Sequence, residues 1–113
     1  SHPVAGSSWE GFAIENLIEA APDGSEPYFY RSSGGAEIDL LLLPPGAERP
    51  WAIECKRSLD PRPTRGFHSA CVDVDPERKF VVYPGTERYP IKADVEAINL
   101  ADAMGELSEF GVG

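Results

Sequence analysis

The stretch Tyr28-Phe29-Tyr30-Arg31-Ser32-Ser33-Gly34-Gly35-Ala36-Glu37-Ile38-Asp39-Leu40-Leu41-Leu42-Leu43, followed through Pro44 to Pro50 by Trp51-Ala52-Ile53-Glu54-Cys55-Lys56, decides the fold. The aromatic run from Tyr28 to Tyr30 lies between Pro27 and Ser32-Ser33-Gly34-Gly35, which is the pattern of a strand entering a hairpin. Glu37 to Leu43 is then the returning strand, and its continuous apolar character implies burial on both faces. The Pro- and Gly-rich segment from 44 to 50 is a loop, and the period-two alternation of Trp51 to Lys56 makes a third strand.

Outward toward the start, Ser7 and Glu10 have the S-x-x-E spacing of a capping box. The apolar positions Trp9, Phe12, Ala13, Leu17 and Ala20 then repeat at helical spacing until Pro22-Asp23-Gly24, which predicts a helix over 8 to 21. Outward toward the end, 60 to 66 reads as a loop and helix start, and Phe67, Ala70, Cys71 and Val74 fall on one helical face. Phe80 to Tyr83 is a short buried strand, and Val95 to Ile98 adds another. Asn99 caps a last helix whose Leu100, Ala103, Met104, Leu107 and Phe110 form one stripe. The expected order is α-β-β-β-α-β-(β)-α, a small α/β domain with helices flanking a mixed central sheet.

A length of 113 residues fits one domain, with 42% hydrophobic and 26% charged residues as in ordinary globular chains. The longest apolar run is broken by Asp39 and stops at Pro44, far short of the ~18 residues of a membrane helix. With no signal-peptide pattern and two cysteines, too few for a disulfide scaffold, a cytoplasmic protein off the membrane is expected. The chain lacks an initiator Met and enters a helix almost at once, so it reads as a piece of something longer. Ten basic against nineteen acidic residues give a net charge of -9, which argues against a dedicated non-specific nucleic-acid binder. Residues 56 to 79, with six bases against four acids, are the locally basic part.

Asp39 interrupts a strand buried on both faces, so its carboxylate must be paired, bind a cation or stay neutral, unless it lies at the strand's open end in water. Glu54 and Lys56 are two apart and share one face of their strand. Alone, such a pair is an ordinary solvated ion pair. Antiparallel pairing through the 44 to 50 loop changes its weight, because it brings Asp39 and Glu54 within a side-chain length of each other. Two carboxylates with a lysine beside them can hold a hard divalent cation. Glu10 lies on the helical line of Ile14 and Leu17, inside the apolar face, where it can also serve the capping box of Ser7. Cys55 projects from the opposite strand face as a core residue. His68 and Cys71, at i and i+3, are too few ligands for zinc.

Asp39 followed by Glu54-Cys55-Lys56, with an acid in the preceding helix, resembles the PD-(D/E)xK nuclease superfamily, with its restriction-endonuclease-like α-β-β-β-α-β core. More narrowly, Trp9 to Phe12, Phe29 to Leu40 and Ile53 to Ser58 resemble the C-terminal domain of a family of bacterial and archaeal AAA-type ATPases. The resemblance implies one domain over 1 to 113, preceded by an ATPase domain in a longer chain. It implies a magnesium (or manganese) site on Glu10, Asp39 and Glu54, with Lys56 orienting the attacking water. Ile38 departs from the proline of the superfamily pattern. Arg57, Arg62 and Arg65 are the candidates for holding a nucleic-acid backbone, with a solvated surface the other reading. Two functions are expected to compete: metal-dependent phosphodiester hydrolysis, and a catalytically silent interaction module of the ATPase.

Overall fold

The computed structural model of the chain describes residues 8 to 111. Helix α1, Trp9–Ala20, begins at Ser8, whose hydroxyl accepts the Gly11 amide at 3.1 Å. The expected capping residue Ser7 lies outside the described residues, and the cap is its neighbour. Strands β1 (Glu26–Arg31), β2 (Glu37–Leu43) and β3 (Trp51–Cys55) follow, then α2 (Arg65–Val74) and β4 (Arg78–Tyr83). The chain closes with β5 (Arg88–Pro90), β6 (Val95–Asn99) and α3 (Leu100–Ser108). The leading α-β-β-β-α-β order is as the sequence predicts. Strand β5 is an addition that the apolar pattern does not announce.

The six strands form one sheet in the order β1-β2-β3-β4-β6-β5. β1, β2 and β3 are antiparallel neighbours, β3, β4 and β6 run parallel, and β5 returns antiparallel on β6. Strand β3 sits between the antiparallel and parallel halves, and all five of its residues are buried.

Each sheet face has its own apolar core. On one face Leu40, Leu42, Trp51, Ile53, Phe80 and Val82 meet Ala13, Ile14 and Leu17 of α1 and Ala103 and Leu107 of α3. On the other, Ile38, Leu41, Ala52, Val81 and Val95 meet Phe67, Ala70 and Cys71 of α2. Burying a side chain of this size contributes roughly 1.5–3 kcal/mol, so these two layers dominate stability. At the far side Arg78 bonds Glu106 at 2.6 Å while its guanidinium lies 4.8 Å from the Trp51 ring. Glu106 also reaches Arg88, which forks onto Glu96, and this ties α3, β4, β5 and β6 together.

The start of α2 is fixed tightly. Thr64 is its cap and accepts the Phe67 amide at 3.1 Å. Within the first turn, Gly66 runs so near the β1–β2 hairpin that a Cβ there would lie 2.4 Å from the Gly35 carbonyl oxygen.

Candidate active site

The register of β2 places its carboxylate. Tyr28 pairs with Leu41 and Tyr30 with Ile38, so Phe29 stands opposite two residues, Asp39 and Leu40. This is a β-bulge, a device that re-aims a side chain at the cost of one broken alternation. Its effect is visible in the packing: Ile38 and Leu41 both enter the α2 core, and Leu40 and Leu42 the opposite one. Asp39, half-buried at the bulge, turns toward the end of β3 and accepts the Cys55 amide on Oδ2 at 3.0 Å.

The β2–β3 ladder pairs Leu40 with Ile53 and Leu41 with Ala52. Continuing it by one step sets Asp39 opposite Glu54, as the antiparallel reading of the sequence expects. Glu54 alternates to the α2 side, where only 8% of it is exposed. Its Oε1 accepts the Thr64 amide at 3.0 Å. Burial pushes the Glu54 carboxyl above the ordinary carboxylate range and the Asp39 charge adds to this, while the Thr64 hydrogen bonds and the Lys56 ammonium pull it back. Lys56 follows directly, its backbone amide held by the Val82 carbonyl at 2.9 Å, so it stands at the carboxyl end of the parallel strands. Ligand sites of open α/β sheets lie at that end.

Glu10 arrives from the other direction. Helix α1 packs on the sheet face that carries Cys55, and the Cys55 thiol is pushed well up by burial and then by the charges of Asp39, Glu10 and Glu54. All three acids therefore surround Cys55. They do not close on one point: among the described residues, no three His, Cys, Asp or Glu side chains are grouped as metal ligands. The reason is strand parity, since Glu54 projects toward α2 and Glu10 approaches from the α1 side. The compact donor set is the pair Asp39 and Glu54. Asp39 and Glu54 supply hard oxygen donors, the type that a magnesium-like cation takes, one or two carboxylates with water and substrate oxygens completing the shell.

The remaining candidates lie around this point. Arg57, Arg62 and Arg65 are exposed on the segment from β3 to the first turn of α2, with Arg62 3.6 Å from Asp60 in an ion pair. Cys55 is buried, as expected of a core residue. The buried Cys71 thiol is pushed up to about 11 by burial, and His68 stands edge-on to Phe67. Thr64 was not among the residues singled out by the sequence, although a threonine just ahead of an apolar helical run is a recognisable cap signal.

Fold and site thus define a mixed α/β domain with a carboxylate pair and a lysine at the carboxyl end of its parallel strands. The chain belongs to the family described as domain of unknown function DUF4143, whose model matches residues 5–103. It is 40% identical over 98 residues to an uncharacterized protein of Mycobacterium tuberculosis and, equally, to one of Mycobacterium bovis. Each match covers 86% of this chain and 21% of the relative, so the chain spans about a fifth of the relatives' length. No solved structure matches the chain. Among the described residues, no helix is long and apolar enough to cross a membrane.

Proposed function

We propose that this domain is a metal-dependent phosphodiesterase of the PD-(D/E)xK type, acting on nucleic acid as part of a longer, ATPase-containing protein. The observation that supports the reading is the antiparallel β2–β3 register, which continued by one step sets Asp39 opposite Glu54, with Lys56 just past the end of β3. Asp39 and Glu54 would hold a magnesium or manganese ion, which supplies positive charge for a phosphate and lowers the pKa of water. Lys56 brings its ammonium to the same strand end, where it balances phosphate charge or orients the attacking water. Glu10 adds negative field from the α1 side, and Arg57, Arg62 and Arg65 flank the lysine as phosphate contacts.

The net charge of -9 favours a second reading, an interaction module that keeps the fold without turnover. Cleavage of single- and double-stranded substrates at low salt with manganese separates the two, comparing wild type with Lys56→Ala. Activity lost with Lys56 supports the phosphodiesterase. Equal cleavage by both proteins would trace to a contaminant and end it.

A further inference from the structure

We infer that Thr64 is a positioning residue for Glu54: the backbone amide at the start of α2 holds the Glu54 carboxylate in the orientation in which it faces Asp39. The inference rests on the phosphodiesterase reading for its chemical meaning and on geometry for its substance. Two of the bonds that Thr64 makes run in opposite directions. Its hydroxyl accepts the Phe67 amide at 3.1 Å, which closes the first turn of α2. Its own N–H, which at a helix cap normally points to solvent, donates to Glu54 Oε1 at 3.0 Å. The carboxylate therefore sits at the partly positive end of a helix of ten residues, with a charge-assisted bond to fix its rotamer.

The surroundings make this contact stiff. Pro61 is buried and Pro63 fixes the backbone one residue ahead, so the approach to Thr64 has little freedom. On its far side Gly66 is seated against the Gly35 carbonyl of the hairpin that leads into Asp39. The start of α2 is thereby anchored to both strands that carry the carboxylates. A side chain of glutamate length, nearly buried and without this amide, would have several rotamers to choose from. With it, one oxygen is committed to the start of α2.

Three substitutions isolate the amide. Thr64→Ser keeps both the amide and the hydroxyl. Thr64→Ala loses the hydroxyl alone. Thr64→Pro loses the amide as well, and the backbone φ of -75° at this position is one that proline adopts. Amide exchange followed by NMR reads the bond directly. The Thr64 amide should exchange slowly in wild type and about tenfold or more faster in Glu54→Ala, as expected for loss of a bond to a charged acceptor. Manganese affinity, read from paramagnetic broadening near Asp39, should stay close to wild type in Thr64→Ser and Thr64→Ala, which keep the amide, and fall in Thr64→Pro, which loses it. If Thr64→Pro does not fold, the Thr64 exchange rates in wild type and Glu54→Ala decide the assignment. Equal Thr64 exchange in wild type and Glu54→Ala, or equal manganese affinity across the series, would overturn the assignment. Failure of wild type to bind manganese at all would instead end the metal reading, and the exchange rates alone would then decide whether Thr64 holds Glu54.

Discussion

The Asp39 carboxylate takes the place of a backbone carbonyl, accepting the amide of Cys55, two residues beyond Ile53, where the β2–β3 ladder ends. Cys55 is buried, so its N–H has no water to turn to when that acceptor is removed. Asp39→Ala should therefore destabilise the domain by about 1–3 kcal/mol, whereas Asp39→Asn, which keeps an oxygen in place, should lose less. Urea denaturation of the two variants checks the order. An Ala variant as stable as the Asn variant would show that the bond contributes nothing.

Metal binding should appear as stability. A cation that binds only the native state raises its free energy of unfolding by about 2.7 kcal/mol at a hundredfold excess over Kd. Millimolar Mn²⁺ or Mg²⁺ should raise the melting temperature of wild type and leave Asp39→Asn and Glu54→Gln unchanged. A wild-type melting curve insensitive to either ion would favour the silent module.

The pH dependence of stability has a defined sign at Glu54. Its folded-state carboxyl is raised, chiefly by burial, so between the unfolded and folded values the native state binds more protons than the unfolded chain. Stability contributed by this group is thus full below the ordinary carboxylate range and is lost as the pH rises through the folded value. Relative to Glu54→Gln, the wild type should be more stable in acid than at neutrality. The difference in unfolding free energy between the two proteins, followed from pH 4 to pH 7, should shift against wild type as the pH increases.

Two glycines in helices should answer oppositely to alanine. At Gly66 the new Cβ would meet the Gly35 carbonyl oxygen at 2.4 Å, so α2 must lift from the hairpin, at a cost of about 1–3 kcal/mol. At Gly105, inside α3, nothing stands within 4 Å of the Cβ, and alanine should stabilise by about 0.5–1 kcal/mol. Thermal melts of Gly66→Ala and Gly105→Ala should move in opposite directions from wild type.

Nucleic-acid affinity should be low and steeply salt-dependent. The overall charge of -9 repels phosphate, and Arg62 is shared with Asp60, leaving Arg57 and Arg65 as the principal contacts on this segment. Binding by the domain should be detectable at 20 mM salt and fade at physiological salt. Replacing Arg57 and Arg65 together with Ala should flatten that slope. An unaltered slope would place the binding surface elsewhere.

Much of this architecture was legible from residue patterns. Pro22, the Ser32 to Gly35 turn and the Pro44 to Pro50 loop punctuate the chain strongly enough to bound α1, β2 and β3 within a residue or two. The antiparallel pairing of β2 with β3 followed from the loop between them. What escaped has local causes. Strand β5 is three exposed residues ending in Pro90, with no apolar face to announce it. The bulge at Asp39 is a matter of register against β1, which a single strand does not encode, and the continuous apolar run of β2 gives no sign of it. Glu10 lies in the right helix, but which sheet face that helix covers is decided by its packing on α3 and by strand parity. Thr64 stands in a loop-like Asp-Pro-Arg-Pro setting where cap and linker look alike.

The division of the core between two sheet faces also sets an order for assembly during synthesis. The α2 side is built mainly from β2, β3, α2 and β4, neighbours in the chain, with Val95 of β6 added later, so most of it can form as soon as they leave the ribosome. The other side joins the first helix to the last, with Ile14 and Leu17 of α1 sharing a cluster with Ala103 and Leu107 of α3. Until α3 emerges, α1 has a sheet to lie on but lacks the helix that packs beside it. A nascent chain stalled before Leu107 would present a half-covered apolar layer, and it is at this stage that the domain is most exposed to chaperones and proteases.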